Sequence, residues 1–269
     1  MRLRYIYVLL LVVFFNKSYP QSTASEQVTT FTIAAPQLDA IKTIWVYLPK
    51  NYKNSKKPYP VIYMHDAQNL FDVKTSYVGE WSVDEYMDAL TDNESIIIGI
   101  EHGEEKRIAE LTPYKHETYG GGQGDTYLTF IKNTLKPHID VAYRTKSDAL
   151  NTTIFGSSLG GLISFYAAIK YPETFGKAGI FSPAFWINPE LFDLIGNITI
   201  PETSKFFFLV GEKEGKTMVP DQERMVAILK SKGVKENQIR NRIIEDGEHN
   251  EKFWSTYFGE AYQWLTSKG

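Results

Sequence analysis

Residues 156–160 read Gly-Ser-Ser-Leu-Gly and contain the pattern Gly-x-Ser-x-Gly centred on Ser158. An apolar run precedes the pattern and a helix-forming run follows it directly. This arrangement is typical of a sharp strand-to-helix turn that holds a serine hydroxyl at the end of a sheet. A pattern centred on Ser157 would need glycine at Phe155, so the register is fixed. Ser158 is therefore predicted to be a nucleophile.

A serine nucleophile needs a base to take its proton and a carboxylate to orient that base. His249 is the candidate base, because it lies between the last predicted strand and the last predicted helix. Glu214 is the first choice for the acid and Glu212 the second, since both follow a predicted strand, while Asp221 and Asp246 are more remote alternatives. The order serine, acid, histidine is that of α/β-hydrolases and differs from the order in trypsin-like and subtilisin-like proteases.

A tetrahedral intermediate also needs N–H donors that are already in place for its oxyanion. The backbone N–H of Leu159, directly after the nucleophile, is predicted to be one donor. The second is expected from Ala67 or Gln68, in the loop that follows the third strand. His65 and Asp66 precede these two residues and are expected to hold the loop in shape rather than to take part in chemistry.

The elements that must position these residues alternate regularly along the chain. Apolar or β-branched runs predict strands at 28–34, 42–48, 60–65, 95–100, 152–156, 177–181, 205–210 and 239–244. Helices are expected at 82–90, 126–138, 159–170, 220–232 and 251–265, and residues 101–124 are expected to form a polar loop. An antiparallel pair followed by strand–helix units predicts an α/β fold, with a mostly parallel sheet covered by helices on both faces. Sites in such sheets lie beyond the carboxyl ends of the strands.

The composition excludes several classes of function. The chain has 269 residues, of which 43% are hydrophobic and 23% charged, and a net charge of −3. These values suit one globular domain and give no indication of a nucleic-acid partner. The absence of cysteine excludes disulfides and thiolate metal sites, and the five histidines show no metal-ligand spacing. No metal is therefore predicted, and a serine nucleophile with a histidine base needs no organic cofactor.

The N-terminus has the pattern of a secretory signal peptide. Arg2 and Arg4 precede a short apolar run, and a polar stretch follows it. The predicted organisation is a signal peptide at 1–24 and an α/β-hydrolase domain at 25–269, exported to the periplasm or secreted. The run is short for a bilayer crossing, so no stable membrane insertion is expected after cleavage. An uncleaved membrane anchor is the alternative.

From about Phe31 onward the chain resembles an esterase branch of the α/β-hydrolases, which includes siderophore, feruloyl and acetyl-xylan esterases. The segments that carry the likeness are 63–71, 107–114, 143–145, 155–161, 182–186 and 211–214. The resemblance assigns the roles of nucleophile, base and acid to Ser158, His249 and Glu214. Ala67 stands where members of this branch commonly have glycine, and a small residue there leaves the backbone N–H usable. Some siderophore esterases of this type work with a serine–histidine pair alone, so the acid stays open.

The predicted function is a secreted serine carboxylic-ester hydrolase that works through an acyl-enzyme. Its expected substrate is a small-molecule or glycan ester, either a siderophore or a carbohydrate-linked acetyl or feruloyl ester. Phe185, Trp186 and Arg107 are predicted to bind the substrate, with core packing the alternative for Trp186. For Arg107 the alternative is an ion pair with Glu110 or another carboxylate. An acyltransferase and a non-catalytic binding protein are the alternative functions, and the sequence carries no signal for the oligomeric state.

Overall fold

The structure is a computed structural model that describes residues 21–92 and 94–267. Its strands, in chain order, are β1 (Val28–Ala35), β2 (Ala40–Tyr47), β3 (Val61–His65), β4 (Ile96–Ile100), β5 (Lys115–His116), β6 (Gly120–Gly121), β7 (Thr152–Ser157), β8 (Lys177–Phe181), β9 (Lys205–Gly211) and β10 (Ile239–Ile244). Its α-helices are α1 (Val83–Asp88), α2 (Arg107–Leu111), α3 (Gly124–Phe130), α4 (Lys136–Ala142), α5 (Leu159–Lys170), α6 (Leu191–Leu194), α7 (Met218–Ser231) and α8 (Glu251–Thr266).

Eight of the strands form one sheet in the order β1-β2-β4-β3-β7-β8-β9-β10. β2 runs antiparallel to both of its neighbours, and all other adjacent strands in this sheet are parallel. The predicted α/β fold with an antiparallel N-terminal edge is confirmed. β7, which leads to Ser158, has four strands on one side and three on the other, so the nucleophile turn lies near the middle of the sheet.

Each face of the sheet carries its own hydrophobic core. In β3, Val61 and Tyr63 belong to one core and Ile62 and Met64 to the other, as the alternation of side chains along a strand requires. The first core is covered by helices such as α5 and the second by helices such as α8. A strand buried on both faces must be apolar throughout, which explains the uninterrupted hydrophobic runs in the sequence.

The predicted polar loop at 101–124 is wrong in part, because it contains α2 and the hairpin formed by β5 and β6. These elements depend on tertiary contacts. The hydroxyl of Thr112 accepts a hydrogen bond from the N–H of Gly122 at 3.0 Å, and Leu111 is buried. The helix that follows also begins earlier than predicted, at Gly124, and continues through π-helical turns at Ile131–Leu135 into α4.

The N-terminal segment that the structure describes lies against the domain. The hydroxyl of Ser22 donates to Asp72 at 2.6 Å, and the backbone N–H of Ser25 donates to Asp84 at 2.7 Å. The hydroxyl of Thr23 donates to the carboxylate of Glu80. Most of the predicted signal peptide lies outside the described residues. Within 21–92 and 94–267, no helix has both the length and the apolar character needed to cross a membrane.

Candidate active site

Ser158 occupies the turn between β7 and α5. Its backbone has φ 56° and ψ −119°, an unusual conformation for a residue with a side chain. The turn is tight enough that a Cβ at Gly156 would lie 2.7 Å from the carbonyl carbon of Gly160. The N–H of Ser158 donates to the carbonyl of Phe181 at 2.9 Å, which fixes the turn to β8.

His249 makes hydrogen bonds to both of the other predicted site residues. Its Nε2 lies 3.0 Å from Oγ of Ser158, and its Nδ1 lies 2.9 Å from Oε2 of Glu214. A carboxylate only accepts, so Nδ1 carries a proton and Nε2 is left as an acceptor for the serine hydroxyl. The imidazole also packs edge-on against the indole of Trp254, with 4.9 Å between the ring centroids.

Glu214 is held by several donors, and its side chain is fully buried. Its Oε1 accepts hydrogen bonds from the hydroxyl of Ser182 at 2.6 Å and from the N–H of Gly211 at 2.7 Å. Ser182 in turn accepts from Nε1 of Trp254 at 2.7 Å. Glu212, the second choice for the acid, is exposed and makes no hydrogen bond to these residues.

The loops that carry the acid and the histidine touch through their backbones. A Cβ at Gly211 would lie 2.2 Å from the carbonyl carbon of Gly247, and a Cβ at Gly247 would lie 2.6 Å from Cα of Gly211. The N–H of Lys213 donates to the carbonyl of Gly247 at 3.0 Å. No side chain fits between the two strand ends, so glycine at both positions allows Glu214 to reach His249.

The loop after β3 packs against the first turn of α5. A Cβ at Gly160 would lie 3.3 Å from Cβ of His65 and 3.4 Å from Oδ2 of Asp66. Ala67 and Gln68 open a short 3-10 helix and Leu159 opens α5, so their N–H groups have no acceptor within their own helices. Gln68 lines the cavity, whereas Ala67 is fully buried. The N–H of Gln68 is therefore better placed for a ligand than that of Ala67.

Asp66 and Arg107 form a bidentate ion pair beside this loop. Nε and Nη2 of Arg107 lie 2.7 and 2.8 Å from the two carboxylate oxygens. Burial alone would raise the pKa of Asp66, but the guanidinium outweighs it and holds that pKa below its ordinary value. Of the two sequence interpretations of Arg107, the ion pair is present, although its partner is Asp66. Glu110 instead pairs with Lys42 at 2.6 Å.

His65 is the second histidine at this edge of the sheet, and it is 2% exposed. Its Nδ1 lies 2.8 Å from the hydroxyl of Tyr127. Burial lowers the pKa of His65 to about 4, so the ring is neutral near pH 7. It supports the loop that Ala67 and Gln68 begin.

A cavity of about 680 Å³ opens above Ser158 and His249. Polar groups of Gln68 and Arg107 line it together with the ring of Trp81. The segment between Gln68 and Trp81 adds Tyr77 and Val78, which are 93% and 57% exposed and lie at the mouth of the cavity. The cavity therefore combines a polar floor with an aromatic and aliphatic wall.

Glu251 also lines this cavity, although sequence reasoning treated it only as the start of a helix. It is 7% exposed, burial raises its pKa, and Nδ2 of Asn69 donates to it at 3.4 Å. The sequence signal that was available is its position two residues after His249. Ser182 was missed in the same way: it directly follows β8 and begins the segment 182–186 that carries the family likeness, but neither feature indicated its role.

The predicted substrate contacts of Phe185 and Trp186 are not found at the cavity. Phe185 is fully buried and packs on Phe165 and Phe192, so the prediction that it binds substrate is replaced by a core role. Trp186 is 43% exposed and lies outside the cavity lining. Two adjacent residues of a 3-10 turn point in different directions, and the sequence does not reveal which one faces solvent.

Comparison with known proteins places this geometry in a family. The family model "Putative esterase" matches residues 36–264. The uncharacterized protein YbbA of Bacillus subtilis is 29% identical over 236 residues, which is 83% of this chain and 92% of the relative. The endo-1,4-beta-xylanase/feruloyl esterase of Xylanibacter ruminicola is 26% identical over 204 residues, which is 72% of this chain and 26% of that protein.

Solved structures agree at the level of the fold. The enterobactin esterase of Shigella flexneri, crystallised in the presence of enterobactin, matches with a TM-score of 0.67 and 18% identity, over 90% of this chain and 58% of that chain. The family match confirms the resemblance that the sequence motifs indicated. The chain therefore belongs to this family of esterases, on the α/β-hydrolase fold.

Proposed function

We propose that this protein is a serine carboxylic-ester hydrolase that works through an acyl-enzyme. The observation that carries the proposal is the pair of hydrogen bonds made by His249, at 3.0 Å to Ser158 and 2.9 Å to Glu214. An imidazole oriented in this way accepts the serine proton, and the carboxylate stabilises the imidazolium that results. Membership of an esterase family supports the reaction class.

In the acylation step, Oγ of Ser158 attacks the ester carbonyl while Nε2 of His249 takes its proton. The carbonyl oxygen becomes an oxyanion that accepts hydrogen bonds from the N–H groups of Leu159 and Gln68. The carbon–oxygen bond to the alcohol then breaks, and the imidazolium returns its proton to the departing alkoxide. The alcohol leaves and the acyl group remains on Ser158.

In the deacylation step, water replaces the alcohol. Nε2 of His249 takes a proton from this water as its oxygen attacks the acyl carbonyl, and the same N–H groups bind the second oxyanion. The bond to Oγ of Ser158 breaks, and the proton returns to the serine. The acid product leaves, and the enzyme is returned to its starting state.

We propose that the substrate is a siderophore ester or a carbohydrate-linked acetyl or feruloyl ester. Relatives named as a feruloyl esterase and an enterobactin esterase support both classes. Aromatic side chains of Tyr77, Trp81 and Trp254 along the cavity suit a planar acyl group. A comparison of kcat/KM on methyl ferulate, acetylated xylan and a catecholate siderophore distinguishes these substrate classes.

The nucleophile and base are tested by Ser158→Ala and His249→Ala. We expect each variant to lose 4-nitrophenyl acetate hydrolysis by about 10⁴-fold or more in kcat, because either change removes the oriented nucleophile–base pair. Ser157→Ala is the matched control, since this neighbour also lines the cavity but makes no hydrogen bond to His249. Circular dichroism checks that each variant is folded. Activity retained in Ser158→Ala or His249→Ala rejects the mechanism.

A fluorophosphonate probe separates this function from its alternatives. Labelling of Ser158 in the folded protein is expected for a hydrolase and for an acyltransferase, whereas absence of labelling indicates a binding protein. Product analysis with and without a sugar acceptor then divides hydrolysis from acyl transfer. A hydrolase releases free acid at the same rate in both samples.

We also propose that the protein is exported by its N-terminal segment, with cleavage before Ser22 rather than at the predicted boundary after residue 24. The hydrogen bonds of Ser22, Thr23 and Ser25 to the domain support a boundary before residue 22. Mass spectrometry of the protein recovered outside the cytoplasm gives its first residue. A mature chain that begins after Ser22 contradicts this boundary.

A further inference from the structure

An exposed cluster of rings lies outside the cavity and has no role in the steps above. It consists of His116, Tyr119 and Trp186, and we call it the aromatic patch. Tyr119 is 52% exposed and Trp186 is 43% exposed. The ring centroids of these two residues lie 5.7 Å apart at 82°, and those of His116 and Tyr119 lie 4.9 Å apart. Large aromatic side chains grouped on a surface often mark a binding site.

The polar edges of these rings are free among the described residues. Neither Nε1 of Trp186 nor the hydroxyl of Tyr119 has a hydrogen-bond partner in residues 21–92 and 94–267. Nδ1 of His116 accepts from the backbone N–H groups of Thr118 at 3.1 Å and Tyr119 at 3.3 Å, so the ring proton is on Nε2. The patch therefore offers apolar ring faces together with three free polar groups.

This combination matches a pyranose ring better than it matches a purely apolar partner. A sugar ring has faces of C–H groups, which pack on aromatic rings, and a rim of hydroxyls, which accept and donate hydrogen bonds. Indole and phenol groups are suited to such a partner because each has an apolar body and a polar tip. A hydrophobic partner would leave the three polar groups without acceptors.

The two halves of the patch are held together by a buried amide. Nδ2 of Asn188 donates to the carbonyl of Tyr114 at 2.9 Å, and Oδ1 of Asn188 accepts from the N–H of Tyr114 at 3.3 Å. Asn188 is fully buried and lies two residues after Trp186, while Tyr114 directly precedes β5, which contains His116. The patch is therefore assembled before any ligand arrives.

The patch also lies close to the nucleophile. The N–H of Ala184 donates to the carbonyl of Ser158 at 3.2 Å. Trp186 follows Ala184 by two residues, so their Cα atoms are at most about 7.6 Å apart. This contact places the turn that carries Trp186 beside the nucleophile turn, so we expect the next sugars of a glycan chain on the patch to reach the cavity.

We propose that the aromatic patch is a subsite for one sugar ring of a glycan chain whose ester is cleaved at Ser158. This inference rests on the proposed function and narrows its substrate to a carbohydrate-linked ester.

The test compares a polymeric and a small substrate in Trp186→Ala, Tyr119→Ala and Trp186→Phe. We expect the alanine variants to lower kcat/KM on acetylated xylan by about five- to tenfold, mainly through KM, because stacking of one ring contributes this much. Hydrolysis of 4-nitrophenyl acetate stays within about twofold of the wild type, since the catalytic groups are untouched. Trp186→Phe keeps a ring face and recovers part of the loss. Equal kcat/KM on acetylated xylan for all variants overturns the inference, and so does an equal loss on both substrates.

A binding measurement keeps this inference separate from the proposed function. Xylohexaose, which carries no ester, is titrated by calorimetry into Ser158→Ala protein with and without Trp186→Ala. Binding that weakens by about fivefold or more on loss of the indole supports the patch even if no ester is hydrolysed. If 4-nitrophenyl acetate is hydrolysed but xylohexaose does not bind, the enzyme stands and the patch inference fails.

Discussion

The sequence predicts some residues of the candidate site and not others. Ser158 and His249 are 91 positions apart, yet both were predicted, Ser158 from its Gly-x-Ser-x-Gly motif and His249 from its place between the last strand and the last helix. Ser182 and Glu251 follow strand and loop in the same way but carry no motif. Their roles arise from a hydrogen bond to Glu214 and from burial at the cavity, and neither property can be deduced without the packed structure.

The assignment of the acid gives a prediction at the residue scale. Glu214→Gln should lower kcat by about 10²- to 10⁴-fold, because the amide presents N–H groups to Nδ1 of His249 and favours the wrong tautomer. Glu212→Gln is the matched control and should retain wild-type activity, since its side chain is exposed. Hydrolysis of 4-nitrophenyl acetate measures both. A loss confined to Glu212→Gln would show that the acid is misplaced, and wild-type activity in both would indicate a serine–histidine pair.

At the scale of elements, the strands of the large sheet were predicted within about two residues of their ends, because buried parallel strands must be continuously apolar. The short elements between β4 and α3 were not predicted. α2 has only five residues and β5 and β6 have two each, so no periodicity develops within them. Such short elements are held by contacts like the one between Thr112 and Gly122, which lie outside the reach of local patterns.

The contact between the acid and histidine loops gives a prediction at the element scale. Gly247→Ala should lower kcat by about tenfold or more and cost about 1–3 kcal/mol of stability, because the added methyl group meets Gly211 and Phe253 at contact distances below 3 Å. Gly196→Ala is the control, since its Cβ would meet no atom within 4 Å. Urea unfolding and esterase assays check both variants. Equal kcat and equal stability in the two variants would show that the acid and histidine loops accommodate the added methyl group.

For the whole molecule, stability should depend on pH through a group that must stay neutral. Burial lowers the pKa of His65 to about 4, whereas an unfolded histidine titrates near 6.5. Because burial disfavours the protonated ring, the contribution of His65 to the unfolding free energy is highest above pH 6.5 and falls as the pH is lowered towards 4. Between pH 7 and pH 5 the wild type should lose about 2 kcal/mol of unfolding free energy from this group.

His65→Gln tests this pH dependence because glutamine does not titrate. The variant should show a shallower fall in unfolding free energy between pH 7 and pH 5 than the wild type. The exposed His138 offers a control, and His138→Gln should keep the wild-type slope. Urea unfolding at a series of pH values provides the measurement. Parallel slopes for His65→Gln and the wild type would contradict the assignment.

The hydrogen bonds of the N-terminal segment have a consequence for maturation. Thr23 binds Val73 and Glu80, which stand at either end of a stretch whose Tyr77 and Val78 form the cavity mouth. If the N-terminal segment is cleaved as proposed, the position of the cleavage decides whether the cavity mouth keeps these bonds. A protease acting far from the catalytic groups would in this way set how readily an ester enters, and two mature forms of one chain would differ in substrate access while sharing the same serine.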